Sequence, residues 1–336
     1  MSGAPVGIIA NPASGKDIRR LIAHASVFDN QEKRNIVRRV VLGGIATGAQ
    51  RFLAMPDPNG LVESAIDGLE AEVSFEFVAS PKTASALDTE RSAAAMRDAG
   101  CAVVITLGGD GTNRAAARGW QDVPLVPIST GTNNVFPSML EGTTAGAAAG
   151  LVAAGRIGIE ETATQAKLVH AEIEGEADDL ALIDAVLLDE RFVGSRAIWH
   201  PERLRTIVLT RAEPSAMGMS AIGGLMDPVA DSDDCGLAVE IGDGEMAVSA
   251  PIAPGLYREV GVRSCERLAF GEVVEIAGPG ILAFDGERER LLRPGQAARL
   301  RVQRDGPHVV DVAQTLRLAA CRGLFRVSPG GVTDGD

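Results

Sequence analysis

The stretch most able to do chemistry is Leu107-Gly108-Gly109-Asp110-Gly111-Thr112-Asn113, which follows the apolar run Cys101 to Thr106 and precedes an Ala/Arg-rich segment. That order is a strand, a glycine turn and a helix start. Glycines in such a turn let the backbone pass close to a ligand with positive φ, and the N–H groups left over at a helix N-terminus form an anion site. A phosphate suits it. Asp110 places one carboxylate inside the turn. A nucleotide kinase needs that group as a magnesium partner or a base, and a plain surface turn tolerates it equally well.

Two further segments share this layout. Asn11-Pro12-Ala13-Ser14-Gly15-Lys16 follows the apolar Val6 to Ala10 and opens a helical pattern running to about Ala25. A P-loop requires Gly at the position of Ala10 and Ser or Thr at that of Asp17, so this is a different turn. Its Ser14 hydroxyl, Gly15 N–H and Lys16 ammonium are phosphate donors on one reading and parts of an ordinary capped turn on the other. Gly109-x-Gly111 is not a dinucleotide fingerprint, because Arg114 stands where the third Gly belongs. The third segment, Ser129-Thr130-Gly131-Thr132-Asn133-Asn134, closes the strand candidate Leu125 to Ile128.

Strands are needed beneath these loops. Val6 to Ala10, Arg51 to Met55, Val73 to Val78, the run before Gly108 and Leu125 to Ile128 supply them. Leu61 to Leu69, Thr83 to Ala99, a segment from about Asn113 and Thr143 to Ala154 read as helices. The alternation predicts a parallel sheet with helices on both faces, whose ligands sit at the carboxyl ends of the strands, where all three loops fall. Beyond residue 155 come short strand candidates: Lys167 to Ile173, Ala181 to Leu188, Thr206 to Leu209, Leu237 to Ile241, Val273 to Ile276, Ile281 to Phe284 and Ala298 to Val302. Turns such as Gly242-Asp243-Gly244 and Gly278-Pro279-Gly280 separate them, as in a sandwich. The expected organisation is therefore an α/β domain over 1–155, a β-rich domain over 156–311 and a helical segment over 312–327 that packs back onto the first domain.

The 336 residues suffice for two cores, and a formal charge of −13 argues against a broad nucleic-acid surface. Lys33, Arg34, Arg38 and Arg39 form a basic cluster that reads as a solvated helix face. The four cysteines lack C-x-x-C spacing and the four histidines are isolated, so neither a zinc site nor a disulfide framework is indicated and a reducing cytoplasm fits. No signal-peptide pattern opens the sequence. The Ala/Gly-rich run Thr143 to Gly155 is too short and too weakly apolar to span a membrane, so no membrane partner is expected. The oligomeric state is open, a homo-oligomer included.

Taken together, the three loops resemble the superfamily of NAD kinases, diacylglycerol kinases and sphingosine kinases. Gly108 to Thr112 is its G-G-D-G-T turn unbroken, Asn11 to Gly15 is similar to its N-P-x-S-G element, and Thr130-Gly131-Thr132-Asn133-Asn134 is similar to the G-T-x-N element of the lipid kinases. The longer forms, Asn11 to Arg20 and Ser129 to Pro137, are most similar to the ATP-NAD kinase-like proteins associated with acetoin catabolism, the AcoX family. The resemblance implies a Rossmann-like parallel-sheet nucleotide domain followed by a β-rich, sandwich-like domain, with ATP as donor and Mg²⁺ as its companion. Asn11, Ser14, Gly15, Lys16, Gly108, Gly109, Gly111, Thr112, Gly131, Thr132 and Asn134 would hold the nucleotide. Asp110 would bind the metal or act as base.

Shorter matches follow in the second half. Met219-Ser220-Ala221-Ile222-Gly223-Gly224 resembles the S-A-G-G stretch of NAD kinases with one residue inserted, which would let Ser220 and Gly223 line a substrate pocket; an apolar glycine turn is the plainer reading. Phe284-Asp285-Gly286-Glu287 is similar to the D-G-E element of the lipid kinases, making Glu287 a competing candidate base. Asp184 occupies the place where NAD kinases carry an Asn-Glu pair, and Ile183 replaces the Asn. Because a site built around a polar contact discriminates strongly when that contact is lost, NAD is a doubtful acceptor. The expected activity is ATP-dependent transfer of the γ-phosphoryl group to a hydroxyl of a small soluble molecule. NAD kinase activity and non-catalytic nucleotide sensing are the alternatives.

Overall fold

The computed structural model describes residues 3–14, 29–69, 73–131, 133–190 and 201–327. Gly15, Lys16 and Thr132, together with the helix expected to about Ala25, lie outside the described residues.

The first half alternates strictly. It runs β1 (Val6–Ala10), α1 (Asn30–Thr47), β2 (Arg51–Ala54), α2 (Leu61–Ile66), β3 (Ser74–Phe77), α3 (Ala86–Asp98), β4 (Val103–Gly108), α4 (Asp110–Gly119), β5 (Pro124–Ser129) and α5 (Gly142–Ala153). Then come β6 (Ala163–Gln165), β7 (Leu168–Ile173), β8 (Asp179–Ala181), β9 (Asp184–Leu188), β10 (Leu204–Leu209), α6 (Met219–Met226), β11 (Cys235–Ala253) and β12 (Leu256–Ala269). The chain ends with β13 (Val273–Ala277), β14 (Gly280–Phe284), β15 (Glu287–Leu292), β16 (Ala297–Gln303), β17 (His308–Val310) and α7 (Val312–Cys321).

Seven strands form the first sheet in the order β3-β2-β1-β4-β5-β17-β6, parallel from β3 through β17. Strands β1 and β4 are buried throughout, as expected of the apolar centre of a sheet covered on both faces. Strand order reverses between β1 and β4, the place where open α/β sheets bind ligands. Both β6 and β17 belong to this sheet, so the chain leaves the first body after Gln165 and returns at His308, and α7 packs beside α5.

Two antiparallel sheets make the second body, one ordered β12-β11-β10-β9-β14-β15 and the other β13-β16-β7-β8. Their facing side chains, among them Val169, Leu187, Val208, Phe284, Leu300 and Val302, close a sandwich core. Helix α6 covers the opposite face of the larger sheet through Met219 and Ile222. Lys167, at the entry to this body, is almost fully buried and gives its ammonium to the carbonyls of Ala230, Asp233 and Cys235.

Several elements differ from the sequence expectation. The basic cluster lies on a helix, α1, as expected, but Lys33 belongs to its buried face with Ile36, Val37, Val40 and Val41 and is not solvated. Gly242-Asp243-Gly244 is not a turn between strands: Ile241 and Met246 both pair with Val262, so those glycines form a bulge inside a long hairpin. The expected strand Ala181 to Leu188 is broken at Leu182 and Ile183, for a reason given below.

The Ala/Gly-rich run is the seam of a helix pair. On α5, Gly142, Gly146 and Gly150 recur every fourth residue against α1, Gly142 over Ile36 and Arg39, Gly146 over Val40 and Gly150 over Gly44 and Thr47. A Cβ at Gly146 would stand 1.9 Å from the Val40 carbonyl oxygen, and one at Gly43 would stand 2.1 Å from that of Thr143. Small residues here let two backbones touch, and one added methyl group forces them apart. Gly146→Ala is therefore expected to destabilise the protein by roughly 1–3 kcal/mol, the range for overpacking, despite the better helix propensity of Ala. Denaturant melts of the purified variant check this, and unchanged stability would mean that the helices are not in backbone contact.

Candidate active site

The three loops leave the carboxyl ends of β1, β4 and β5 side by side, and their side chains tie them together. Asn11 donates from Nδ2 to Thr112 Oγ1 at 2.9 Å and accepts from the Ala13 N–H at 2.9 Å. Ser14 Oγ donates to the Asn11 carbonyl at 2.8 Å, and Thr130 Oγ1 donates to Ser14 Oγ at 3.0 Å. Within the third loop Asn134 Nδ2 donates to Ser129 Oγ at 2.8 Å and to the Gly131 carbonyl at 3.3 Å. Asn11, Ser14, Thr112, Gly131 and Asn134 thus gather at one place, largely through bonds to one another.

The glycines of the β4–α4 turn serve close approach. None of Gly108, Gly109 and Gly111 has a positive φ, contrary to the expectation for this turn. A Cβ would stand 2.4 Å from Thr112 at Gly108, 2.6 Å from Asn134 Oδ1 at Gly109 and 2.9 Å from Glu287 Oε1 at Gly111. Room, and not backbone conformation, is what these positions require. Helix α4 begins at Asp110, three residues earlier than expected, and this brings the amide-rich helix N-terminus to the turn.

Asp110 uses its carboxylate to organise the neighbouring loop. Both oxygens accept from the Val135 N–H at 3.1 Å, and Oδ1 accepts from the Phe136 N–H at 2.8 Å. Arg211, from the second body, donates to the Val135 carbonyl at 2.5 Å with its guanidinium 5.8 Å from the Phe136 ring centre. Residues 134–136 are held from both sides.

Sequence reasoning missed Lys33. Far from being solvated, it is fully buried, and its Nζ donates to the carbonyls of Asn11 at 3.0 Å, Pro12 at 3.2 Å and Ser14 at 2.6 Å. One amino group draws three carbonyl oxygens away from the turn where a phosphate would sit. The available signal was the apolar stripe of α1: Lys33 precedes Ile36, Val37 and Val40 at helical spacing, on the buried face.

From the second body, the β14–β15 turn reaches the cradle. Glu287 projects onto Gly111, while Asp285, at φ 48°, turns inward. The Asp285 carboxylate accepts from the N–H groups of Leu182 at 2.9 Å, Ile183 at 2.7 Å and Asp184 at 3.2 Å, which is why the strand breaks there. Burial pushes its carboxyl up to about 7 against the pull of Arg114 and those amides.

Arg114 joins the two bodies. Almost completely buried on α4, it donates from Nε to the Leu180 carbonyl at 2.6 Å, from Nη1 to Glu289 at 2.5 Å, and from Nη2 to Asp179 at 2.8 Å and Glu289 at 3.0 Å. The Phe284 ring lies under it at 4.8 Å. Burial opposes its charge, but Glu289 and Asp179 outweigh burial and hold the proton more firmly than usual. Asp179 behaves symmetrically: burial opposes ionisation, while Arg114, the Leu180 amide, Arg118 and Arg290 bring its carboxyl below the ordinary range.

The expected substrate-lining residues are placed elsewhere. Ser220 is buried, donates to the Arg211 carbonyl and accepts from the Glu213 N–H, each at 3.1 Å. It supports the strand end that carries Arg211. Gly223 is packed against Leu209 and Leu237, where a Cβ would fall within 2.4 and 2.9 Å of their methyl carbons. Both belong to the α6 core. Asp184 is buried in β9 beside Asp285 and Ile183 is sealed in the core, so neither presents a side chain to open solvent. A shallow pocket does lie beside the third loop, lined by Asn133, Met217, Gly218, Ile252, Ala253 and Pro254.

A parallel sheet with a G-G-D-G-T turn at its reversal point, capped by a β-sandwich carrying a D-G-E turn, is the kinase-type fold of the NAD kinase class. The ATP-NAD kinase N-terminal domain profile matches residues 6–157, and the acetoin catabolism protein X C-terminal domain profile matches 167–305. The chain is 39% identical to the acetoin catabolism protein X of Cupriavidus necator over 342 residues, covering 96% of this chain and 94% of that protein. It belongs to the acetoin catabolism protein X family. Among solved structures, yeast NADH kinase complexed with NADH matches with a TM-score of 0.49 at 13% identity, over 98% of this chain and 89% of that one. An NAD kinase from Archaeoglobus fulgidus in complex with ATP matches at 0.44 and 14%, over 81% of this chain and 97% of that one. Among the described residues no helix is long and apolar enough to cross a membrane.

Replacing Lys33 by Met keeps the bulk and removes the donors, leaving three carbonyls without their shared partner. The expected cost is roughly 3 kcal/mol, since each buried acceptor left unmet costs about 1–3 kcal/mol and some reach water. Lys33→Arg should recover only part of it, because a planar fork cannot fill a compact ammonium site. Urea melts of both variants measure this, and a Lys33→Met protein as stable as the parent would exclude the assigned role.

Proposed function

We propose that this protein is an ATP- and Mg²⁺-dependent phosphotransferase that moves the γ-phosphoryl group to a hydroxyl of a small molecule. The observation that carries this reading is the meeting of Glu287 with the N-terminus of α4: an anion cradle on one body and a carboxylate from the other converge on Gly111. Helix-terminal amides, the Ser14 and Thr130 hydroxyls and the glycine backbone would hold and orient the phosphates, and positioning with charge neutralisation is most of what phosphoryl transfer requires. Lys16, as the resemblance implies, would offset phosphate charge. The acceptor oxygen then bonds to the γ-phosphorus as the bond to the bridging oxygen breaks, ADP leaves with that electron pair, and the acceptor's proton passes to Glu287.

Between the two candidate bases, the geometry favours Glu287. Asp110 already accepts from two backbone amides, which fixes it in place. Its role in this reading is to hold the third loop and offer a remaining lone pair to the metal. Among the described residues no cluster of three or more His, Cys, Asp or Glu side chains could hold a metal alone. That suits Mg²⁺, which commonly arrives on phosphates and takes only one or two carboxylates. Asp110 would offer the ion a carboxylate oxygen, and the ion would neutralise charge on the transferring phosphates.

The acceptor is small and hydroxylated in this reading. The NAD kinase alternative is disfavoured by Ile183, whose side chain is sealed in the core and whose N–H is taken by Asp285. With ATP and Mg²⁺, NAD should be converted to NADP with a kcat/KM below about 10⁴ M⁻¹s⁻¹, the lower edge of ordinary enzyme efficiency. A faster rate would restore NAD as the substrate.

A screen of hydroxylated metabolites for acceptor-dependent ADP release tests the main reading. In that assay Glu287→Gln should lose on the order of 10²-fold or more in turnover while keeping its affinity for a non-hydrolysable ATP analogue, since the amide preserves shape and removes only proton acceptance. Asp110→Asn should lose nucleotide affinity as well as turnover, because its amide would turn a donor toward Val135 or Phe136. Binding of ATP without transfer to any acceptor would favour a nucleotide sensor instead.

A further inference from the structure

We propose that Glu289 is a positioning residue for Glu287, acting through its paired bond to Arg114; the inference rests on the reading of Glu287 as the base. Strand β15 carries a bulge here: Leu282 pairs with Arg290 and Ala283 with Arg288, so Glu289 has no residue opposite it. Bulges re-aim side chains, and this one sends Glu289 to Arg114 and lets the adjacent Arg290 reach the same cluster, donating to Asp179 at 3.0 and 3.3 Å. Arg114 stands one helical turn beyond Gly111 on α4, and Glu289 stands two residues beyond Glu287 on β15. The strand therefore meets the helix at two successive points: Glu289 on Arg114, and Glu287 on Gly111 at the cradle. Arg118 adds a longer contact to Glu289 at 3.8 Å.

Glu287 sits at the end of the β14–β15 turn, whose Asp285 faces away into the break between β8 and β9. Glu289 is also the separable partner. Arg114 keeps Asp179 and the Leu180 carbonyl without it, so removing Glu289 releases β15 without leaving the guanidinium buried and alone.

The test uses the full-length protein with MgATP, ADP release being followed with water as acceptor. Glu289→Ala is expected to lower kcat by about tenfold or more with the KM for ATP within about twofold, since the nucleotide loops belong to the other body. Glu289→Gln, which retains one acceptor oxygen, should fall between it and the parent. Hydrogen exchange should rise in residues 280–292 and stay unchanged in 103–108. The double variant Glu287→Gln/Glu289→Ala should be no slower than Glu287→Gln alone, because a residue that acts only through another adds nothing once that one is gone. Additive losses, or a Glu289→Ala protein with parental kcat while Glu287→Gln is impaired, would overturn the positioning role and leave the base standing. Parental turnover in Glu287→Gln would overturn the base, and the positioning role with it.

Discussion

A guanidinium taken out of water must be neutralised where it lies, and the burial of Arg114 between the two bodies makes their relative placement a matter of charge balance. Asp179 and Glu289 come from one side, α4 supplies the arginine from the other, and Phe284 closes the space beneath. Removing the arginine while the bodies stay together would leave the carboxylates facing it short of their partner in a poorly solvated gap, a larger penalty than the loss of ordinary contacts. The arrangement puts the sandwich's β14–β15 turn over the nucleotide-type turn, so the position of Glu287 follows from an interaction several residues away.

Around that junction the polar side chains divide into those that shape the cradle and those that face it. Asp110, Asn134, Asn11 and Thr112 use their side chains to tie neighbouring loops together, and the N-terminal end of α4 and Glu287 meet at Gly111. Preorganisation of this kind means that the donors need no rearrangement when charge develops. The motif residues are thus mostly scaffolding, and the same motif would be needed whether the protein transfers a phosphoryl group or only binds a nucleotide.

Much of this was legible because it is local. The strand-loop-helix order around Gly108, the alternation to residue 154 and the strand candidates beyond it depend on periodicity and turn chemistry within a dozen residues. What escaped was long-range. Lys33 reads as one more basic surface residue until the Asn11 loop is placed above it, and Arg114 registers in the sequence only as a missing glycine. Ile183 looks like the middle of a strand, and only an aspartate about a hundred residues later interrupts it. The φ values of the glycine turn were misjudged because the same residue type serves two needs, unusual dihedrals and close approach, and sequence does not separate them.

Lys33 and Lys167 do the same thing in different halves of the molecule: each closes three carbonyl oxygens around one ammonium. A ring of carbonyls around a point charge is also how proteins coordinate alkali and alkaline-earth ions. Here the charge is tethered by its own side chain, so its local concentration does not vary with the medium. The two turns are in this sense ion sites filled by their own chain, closed without any dissolved cation for a chelator to remove.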